Sequence, residues 1–158
     1  MRKCMHKRML LYILAACLAT NCSRDEAKDV ETPTIDMSDS RAFPTNCATL
    51  QRGESFLFRA VFTDNQALGN YNIEIHQNFD HHTHSGEATE CPVDSPKQPV
   101  NPFVYNRSFA IPDGLTRFEA TAEITVPPDV DAGDYHFMVR LTDRAGWQQL
   151  KALSVKVE

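Results

Sequence analysis

The chain has no apolar run long enough to cross a membrane as a helix. Its N-terminal apolar stretch, residues 10–19, is about ten residues long, whereas a span needs about 20. The stretch follows a basic segment that contains Arg2, Lys3, Lys7 and Arg8. A charged segment followed by a short apolar one is typical of a secretory signal. We therefore expect the protein to be exported.

Familiar catalytic motifs are also missing from the sequence. It contains no G-x-S-x-G, no H-E-x-x-H and no cysteine–histidine arrangement that would activate a thiol. A zinc ion held by three histidines and a water could support hydrolysis. However, Glu74 is the only strand carboxylate placed as a base, and no substrate cleft is indicated. We therefore expect a binding protein rather than an enzyme.

The chain has little positive charge once the signal is removed. Residues 1–21 contain four basic and no acidic residues, so their removal takes the formal net charge from −5 to −9. A chain this acidic is not expected to bind nucleic acid or anionic lipid through bulk electrostatics, and it attracts cations.

The apolar stretch ends in small residues and cysteine, which resembles the lipobox of bacterial lipoproteins. Cys22 gives the fuller apolar segment, and the short acidic run at 23–26 looks like the export signal of surface lipoproteins in the Bacteroidetes. Cys17 fits the usual lipobox motif better but leaves an apolar segment of only about seven residues. We expect a lipoprotein of the outer membrane anchored at Cys22, on the cell surface or on the periplasmic face; a cleaved signal without lipid is the alternative.

The rest of the chain divides into a tether, residues 22–33, and one domain, residues 34–158. The tether is polar and has no aromatic residue, so it has too little apolar surface to fold. Apolar residues then alternate with a period of two, and no helical period of useful length occurs. Strands are predicted at 55–63, 71–76, 118–126, 135–141 and 153–157, with weaker ones around 35 and at 104–111. About seven short strands indicate an all-β sandwich.

A local motif favours an immunoglobulin-like sandwich. Residues 131–135, Asp-Ala-Gly-Asp-Tyr, have the D-x-G-x-Y pattern of a tyrosine corner at the start of a sixth strand. The Cys…Trp…Cys spacing of antibody domains is absent.

The two cysteines of the domain, Cys47 and Cys91, predict a disulfide in an exported protein, with two unpaired thiols as the alternative. Such a bridge would stabilise the fold by about 3–4 kcal/mol on the chain-entropy model.

Histidines carry the clearest functional signal. After the signal is removed, five remain in the chain: His76, His81, His82, His84 and His136. In an immunoglobulin-like sandwich the third and sixth strands are antiparallel neighbours, which places His76 beside His136. Because the alternating apolar residues point inward, both imidazoles are expected on the solvent face, with Cβ atoms about 4.5–5.5 Å apart.

This placement predicts a transition-metal site whose ligands are His76, His82, His84 and His136. Asp80 is a further ligand or an acceptor that orients an imidazole. The candidates for such an outer role are His81, Glu74 and Asn78. Imidazole favours Zn²⁺, Cu²⁺ or Ni²⁺ over Ca²⁺ or Mg²⁺. Zinc is the first expectation, and copper is the second because Met138 shares the predicted face.

The alternative interpretation is an interaction or glycan-binding module in which the histidines are structural or simply polar surface. Exposed aromatic residues would favour it, and Trp147 near a hairpin turn is the only candidate. A metal site would serve acquisition, buffering or sensing, with an outer-membrane transport partner that the sequence does not identify.

The histidine segment also resembles a known family. Residues 75–84 read I-H-x-N-F-D-x-H-x-H, which resembles the signature of an uncharacterised family of predicted Bacteroidetes lipoproteins. The resemblance covers roughly residues 33–158 and implies an immunoglobulin-like domain of unknown function, lipidation and export, but no activity. The chain departs from the family pattern at Trp147, where Asn is usual, and in a longer loop at 87–101.

Overall fold

A computed structural model describes residues 28–83 and 91–158 of the chain. These residues form eight strands and no helix. The strands are β1 (Thr34–Asp36), β2 (Ala48–Leu50), β3 (Ser55–Thr63), β4 (Leu68–Gln77), β5 (Tyr105–Ala110), β6 (Arg117–Thr125), β7 (Gly133–Asp143) and β8 (Gln148–Val157). No helix in the described residues is long and apolar enough to span a membrane.

The strands form two sheets packed as a sandwich. One sheet has the order β1-β3-β6, and the other has the order β2-β8-β7-β4-β5. All paired strands are antiparallel except β2 and β8, which are parallel. The predicted all-β sandwich is confirmed. The strand missing from the prediction is β2, which has three residues and buries only Leu50, too short a pattern to detect by alternation.

The core lies between the inward faces of the two sheets. Phe58 and Phe62 of β3 face Tyr71 of β4 and Phe137 of β7, and the four rings are almost completely buried. The ring centroids of Phe58 and Phe137 are 5.7 Å apart, and those of Phe62 and Tyr71 are 5.1 Å apart. Such aromatic pairs add stability beyond the area that they bury. The predicted period of two is therefore confirmed for these strands.

The tyrosine corner holds the start of β7 in place. The Tyr135 hydroxyl donates to the carbonyl of Asp131 (2.7 Å) and accepts the N–H of Phe103 (3.1 Å). Burial raises the pKa of Tyr135, so the hydroxyl stays protonated. The Asp131 carboxylate accepts the N–H groups of Val100 and Asn101 (2.7 and 2.8 Å), and these hydrogen bonds, Val100 first, lower the pKa of Asp131.

Part of the predicted tether belongs to the folded domain. Asp29 and Pro33 are buried, and the Trp147 indole donates to the carbonyl of Asp29 (3.1 Å). The composition of this segment predicted no folding because it has few apolar residues; polar contacts hold it instead. The predicted signal peptide, Cys17 and Cys22 lie outside the described residues.

Candidate metal centre

Strands β4 and β7 bring His76 and His136 together. The two residues are direct partners in the antiparallel register, beside the pairs Ile75–Phe137 and Gln77–Tyr135. Their ring centroids are 5.5 Å apart. The sequence predicted this juxtaposition from the alternation of side chains between the two faces of neighbouring antiparallel strands, and the register confirms it.

The loop after β4 is fixed to the sandwich by Phe79. This ring is buried and packs edge-on against Tyr135, with centroids 5.3 Å apart. Gly133 allows the approach: its φ is +130°, and a Cβ there would lie 3.0 Å from the Phe79 ring. The Lys97 ammonium lies 4.4 Å from the centroid of the same ring. With Phe79 anchored, the residues that follow it turn back toward the outer face of the sheet.

His82 lies over His76 as a result. The two rings are nearly parallel, at 11°, and their Nε2 atoms are 3.3 Å apart. Two nitrogens bound to one tetrahedral zinc ion at about 2.0–2.1 Å are about 3.3–3.4 Å apart. The ring centroid of His82 also lies 5.0 Å from that of His136. We refer to His76, His82 and His136 as the histidine centre.

A carboxylate lies beside the Nδ1 atom of His76 and another beside the Nδ1 atom of His82. Asp80 Oδ1 lies 2.6 Å from His82 Nδ1, and Glu74 Oε1 lies 3.0 Å from His76 Nδ1. The hydrogen bond from His82 holds the pKa of Asp80 below its ordinary value, so the carboxylate stays charged. A carboxylate beside Nδ1 favours a proton on that nitrogen.

His136 occupies a different environment from the one predicted. The sequence placed it on the solvent face with Met138, but the two side chains are only 0% and 7% exposed. For His136 the reason is the folded-back loop, because His136 Nε2 lies 3.0 Å from the carbonyl oxygen of His82.

The remaining candidates are placed as follows. His81 turns away, with a φ of 59° and its Nε2 2.9 Å from the carbonyl oxygen of Asp94. Asn78 is buried at the start of the loop, where its N–H donates to the carbonyl of Asp134 (2.8 Å). His84 lies outside the described residues.

A disulfide links Cys47 to Cys91 across a sequence separation of 44. We refer to the segment between the end of β4 and Cys91, residues 78–90, as the histidine loop. Cys91 is the first described residue after it, and Cys47 immediately precedes β2. Three residues further on, the N–H of Asp94 donates to the Asp134 carboxylate (2.7 Å), and the Asp94 carboxylate pairs with Lys156 (2.8 Å). The Asp94 hydrogen bond is the main reason that the pKa of Lys156 is raised. Both ends of the loop are therefore attached to the sandwich.

Sequence reasoning missed two features of this centre. It did not assign a role to Phe79, although a large apolar residue within a polar loop is a usable signal for an anchor. It also did not include the backbone carbonyls of His82 and Asp94, because a carbonyl group is common to every residue and carries no side-chain pattern.

Comparison with known proteins identifies a family but no activity. Residues 20–158 match the family described as "Domain of unknown function (DUF4625)". The chain belongs to this family. The DUF4625 match covers the histidine loop, both sheets and the segment that contains Asp29. No curated protein matches the chain.

Several solved structures are similar to this DUF4625 chain. A GspB Siglec domain is 22% identical with a TM-score of 0.44, and covers 82% of this chain and 59% of its own. A superoxide reductase (neelaredoxin) from Ignicoccus hospitalis is 11% identical with a TM-score of 0.41, covering 81% of each chain. Spo0M, a sporulation control protein from Bacillus subtilis, is 10% identical with a TM-score of 0.43, covering 82% of this chain and 50% of its own. The chain thus spans 59% of the first structure and half of the third.

Proposed function

We propose that this protein binds a transition-metal ion at the histidine centre, with zinc as the first choice and copper as the second. One observation supports the proposal above all: the Nε2 atoms of His76 and His82 lie 3.3 Å apart while carboxylates adjoin both Nδ1 atoms. With protons on Nδ1, the two Nε2 lone pairs face each other. The contact has the length of a hydrogen bond whose donor depends on the tautomer, and in the Nδ1-protonated tautomer a metal ion between the two atoms replaces it with two coordinate bonds.

The other ligands of the proposed site are His136 and His84. His136 adds a third imidazole from a rigid central strand, and His84 is two residues from His82 in the sequence. A set of imidazoles suits Zn²⁺, Cu²⁺ or Ni²⁺ rather than the hard cations Ca²⁺ and Mg²⁺. Asp80 and Glu74 orient the ligating rings, the usual role of outer carboxylates at zinc sites.

The proposal assigns metal binding and no catalytic reaction. A cavity of about 240 Å³ is lined by residues that include Cys47, Cys91 and Ser154, but by none of the three histidines of the centre. Pockets for small organic ligands are generally about 300–1,000 Å³. The volume of this cavity lies below that range.

We further propose that the domain acts outside the cytoplasm as a lipid-anchored module for metal acquisition, buffering or sensing. The anchor would be Cys22, with Cys17 as the alternative, in the outer membrane. Mass spectrometry of the protein from a membrane fraction tests this part. Acylation lost in Cys22→Ser and kept in Cys17→Ser is expected; the reverse pattern would move the anchor to Cys17.

Isothermal titration calorimetry with zinc tests the metal site. The purified protein, freed of metal by chelation, is expected to bind one equivalent of Zn²⁺. The double variant His76→Ala/His136→Ala should lose at least about 100-fold in affinity, more than the roughly 10–100-fold typical of losing an outer partner. The matched control is His81→Asn, because His81 belongs to the same loop but contacts Asp94, and Asn tolerates its positive φ.

Two results would count against the site. The absence of saturable binding beyond weak surface chelation would rule out metal binding as the function. Tight binding that survives in the double variant would rule out the ligand assignment.

The alternative, an interaction or glycan-binding module, rests on Trp147, which is 42% exposed. It would be favoured if the protein bound no metal and Trp147→Ala abolished binding to a surface glycan.

A further inference from the structure

A second cluster of metal-ligating side chains lies at the opposite end of the β4–β7 pair. One carboxylate oxygen from each of Asp29, Asp64 and Asp143 lies within 4.8 Å of the other two. Asp143 pairs with Leu68 at the end of β7, seven residues beyond His136. Seven residues of strand span roughly 23 Å, so this cluster is separate from the histidine centre.

Asp143 is the most buried member of the cluster, with 4% of its surface exposed. Its Oδ1 accepts the N–H groups of Gly146 (2.6 Å) and Trp147 (2.8 Å), which closes the turn between β7 and β8. Its Oδ2 is also buried and has no hydrogen-bond partner among the described residues. A buried polar atom without a partner costs free energy unless an ion or water satisfies it.

Asp64 repeats this arrangement in the turn between β3 and β4. Its Oδ2 accepts the N–H groups of Gln66 (2.9 Å) and Ala67 (2.7 Å). Its Oδ1 is buried and has no hydrogen-bond partner within residues 28–83 and 91–158. Asp29, which is 7% exposed, accepts a hydrogen bond from the Asn65 side chain (3.1 Å). Each turn thus leaves one carboxylate oxygen for the cluster.

Within the part of the chain that the structure describes, no cation neutralises the three negative charges. No described lysine, arginine or histidine forms an ion pair with any of the three carboxylates. Lys28 lines a hollow beside Asp29 and Trp147 but is not paired with the cluster. Like charges this close repel each other strongly when they are buried, so the arrangement calls for a cation.

We propose that Asp29, Asp64 and Asp143 bind a Ca²⁺ ion. Calcium takes oxygen ligands at about 2.3–2.6 Å, so two oxygens on one ion are at most about 5 Å apart, which the 4.8 Å limit satisfies. An all-carboxylate set suits this hard cation better than the nitrogen-preferring metals of the histidine centre. The hollow beside Asp29 and Trp147 gives the ion access from solvent.

Binding of Ca²⁺ would fasten the segment that precedes β1 to the sandwich. Asp29 belongs to that segment, whereas Asp64 and Asp143 belong to two turns at one end of the domain. Trp147 is the only tryptophan in the chain and donates from its indole to the Asp29 carbonyl (3.1 Å). Its fluorescence is therefore a built-in reporter of the cluster.

Titration of the EGTA-treated protein with CaCl₂, followed by Trp147 fluorescence and by thermal unfolding, tests the proposal. We expect a saturable change in emission with a dissociation constant of about 0.1–1 mM, as in extracellular calcium modules, together with a rise in Tm. Trypsin cleavage after Lys28 should slow when Ca²⁺ is present. Mg²⁺ at the same concentration should have a much smaller effect.

Isosteric variants identify the ligands. Asp143→Asn keeps the oxygen that accepts from Gly146 and Trp147 but removes the charge, and it should weaken Ca²⁺ binding at least tenfold. Asp29→Asn, which lies outside the strands, should do the same and serves if Asp143→Asn does not fold. Asp113→Asn is the matched control, since Asp113 pairs with Arg144 at the same end of the domain and is exposed. It should bind Ca²⁺ as the parent protein does.

The outcomes separate this site from the histidine centre. The His76→Ala/His136→Ala variant should keep the whole Ca²⁺ response, whatever its zinc affinity. The proposal is overturned if Ca²⁺ up to about ten times the expected constant changes neither fluorescence nor Tm. It is also overturned if Asp143→Asn and Asp29→Asn respond like the parent, or if Mg²⁺ acts as strongly as Ca²⁺.

Discussion

Each imidazole of the histidine centre has its own orienting partner. The carboxylate of Asp80 contacts His82, that of Glu74 contacts His76, and the carbonyl of His82 contacts His136. An imidazole with one nitrogen so engaged has a fixed tautomer and a restricted ring angle. In the proposed site, such a contact would orient each ring for a metal at its second nitrogen.

The Asp80–His82 contact gives the first prediction. Asp80→Asn keeps the size of the side chain but removes the negative charge that favours a proton on Nδ1 of His82. We expect zinc affinity to fall about 10–100-fold with little change in Tm, because Asp80 is exposed. Competition of the variant and the parent protein with a zinc-sensitive dye measures the difference. An unchanged affinity would show that Asp80 does not orient the ligand.

At the residue scale, the sequence predicted which histidines meet but not how they are buried. The alternation of inward and outward side chains along β4 and β7 was enough to place His76 opposite His136. The burial of His136 depends on the path of a loop that carries no periodicity, so strand parity alone could not reveal it. The carboxylates of Asp29, Asp64 and Asp143 are far apart in the sequence, and only the folded chain brings them together.

Among the structural elements, the histidine loop depends most on one anchor. Phe79 is buried against Tyr135 and Gly133, and its position determines where His82 lies. We expect Phe79→Ala to lower the free energy of unfolding by about 3–5 kcal/mol and to abolish tight zinc binding in the protein that remains folded. Urea unfolding and calorimetry measure the two effects.

Phe62→Ala is the control for the anchor, since Phe62 is equally buried but packs on Tyr71. It should lower stability by a similar amount and leave zinc binding intact. Loss of zinc binding in both variants would mean that the site responds to general stability and not to the loop.

The Asp131 carboxylate, which holds the segment around residues 97–103, gives a prediction about how stability depends on pH. Backbone N–H groups of Val100 and Asn101 hold the pKa of Asp131 below its ordinary value. A lowered pKa stabilises the folded state above the unfolded value of about 3.9, and this contribution is lost as the pH falls through the folded value. Asp131→Asn should therefore be less stable than the parent at pH 7, and the difference should shrink at pH 3.

Urea unfolding at both pH values, with Asp113→Asn as the reference, tests this assignment. Asp113 is exposed, belongs to a different turn and forms only a surface ion pair with Arg144, so its substitution should have a small effect at either pH. A difference between Asp131→Asn and the parent that does not depend on pH would show that the carboxylate is not the cause.

At the element scale, the sequence was most informative where alternation is long. Strand β6, at nine residues, alternates exposed and buried positions over most of its length, and it was predicted together with the long strands β3 and β7. The short strand β2 was not, because three residues hold too little pattern. The tyrosine corner was detectable because the hydrogen bond from Tyr135 to Asp131 requires a fixed spacing. Assignment of the sandwich to the immunoglobulin-like class remains a prediction.

The whole molecule has two candidate ion sites of opposite chemistry, one at each end of the β4–β7 pair. The histidine centre offers nitrogen ligands, and the carboxylate cluster offers oxygen ligands. The net charge of −9 expected after removal of residues 1–21 favours the approach of cations to both. A bound ion at each end would stabilise the folded state in proportion to its binding free energy.

The two sites should respond differently to pH. Imidazoles must lose their protons to bind zinc, and ordinary imidazoles titrate near pH 6.5. Zinc affinity should therefore fall as the pH drops through about 6.5, and by more than tenfold per unit at lower pH because several imidazoles take up protons. Calorimetry in two buffers of different ionisation enthalpy measures the protons released. An affinity that is constant between pH 7.5 and 5.5 would exclude a histidine site.

Anomalous diffraction at the zinc edge, from crystals of the zinc-loaded protein, tests the central claim most directly. We predict a single strong peak between the Nε2 atoms of His76 and His82, about 2.0–2.1 Å from each, with His136 or His84 completing the coordination. A zinc peak elsewhere, or no peak at saturating zinc, would contradict the assignment of the histidine centre as a metal site.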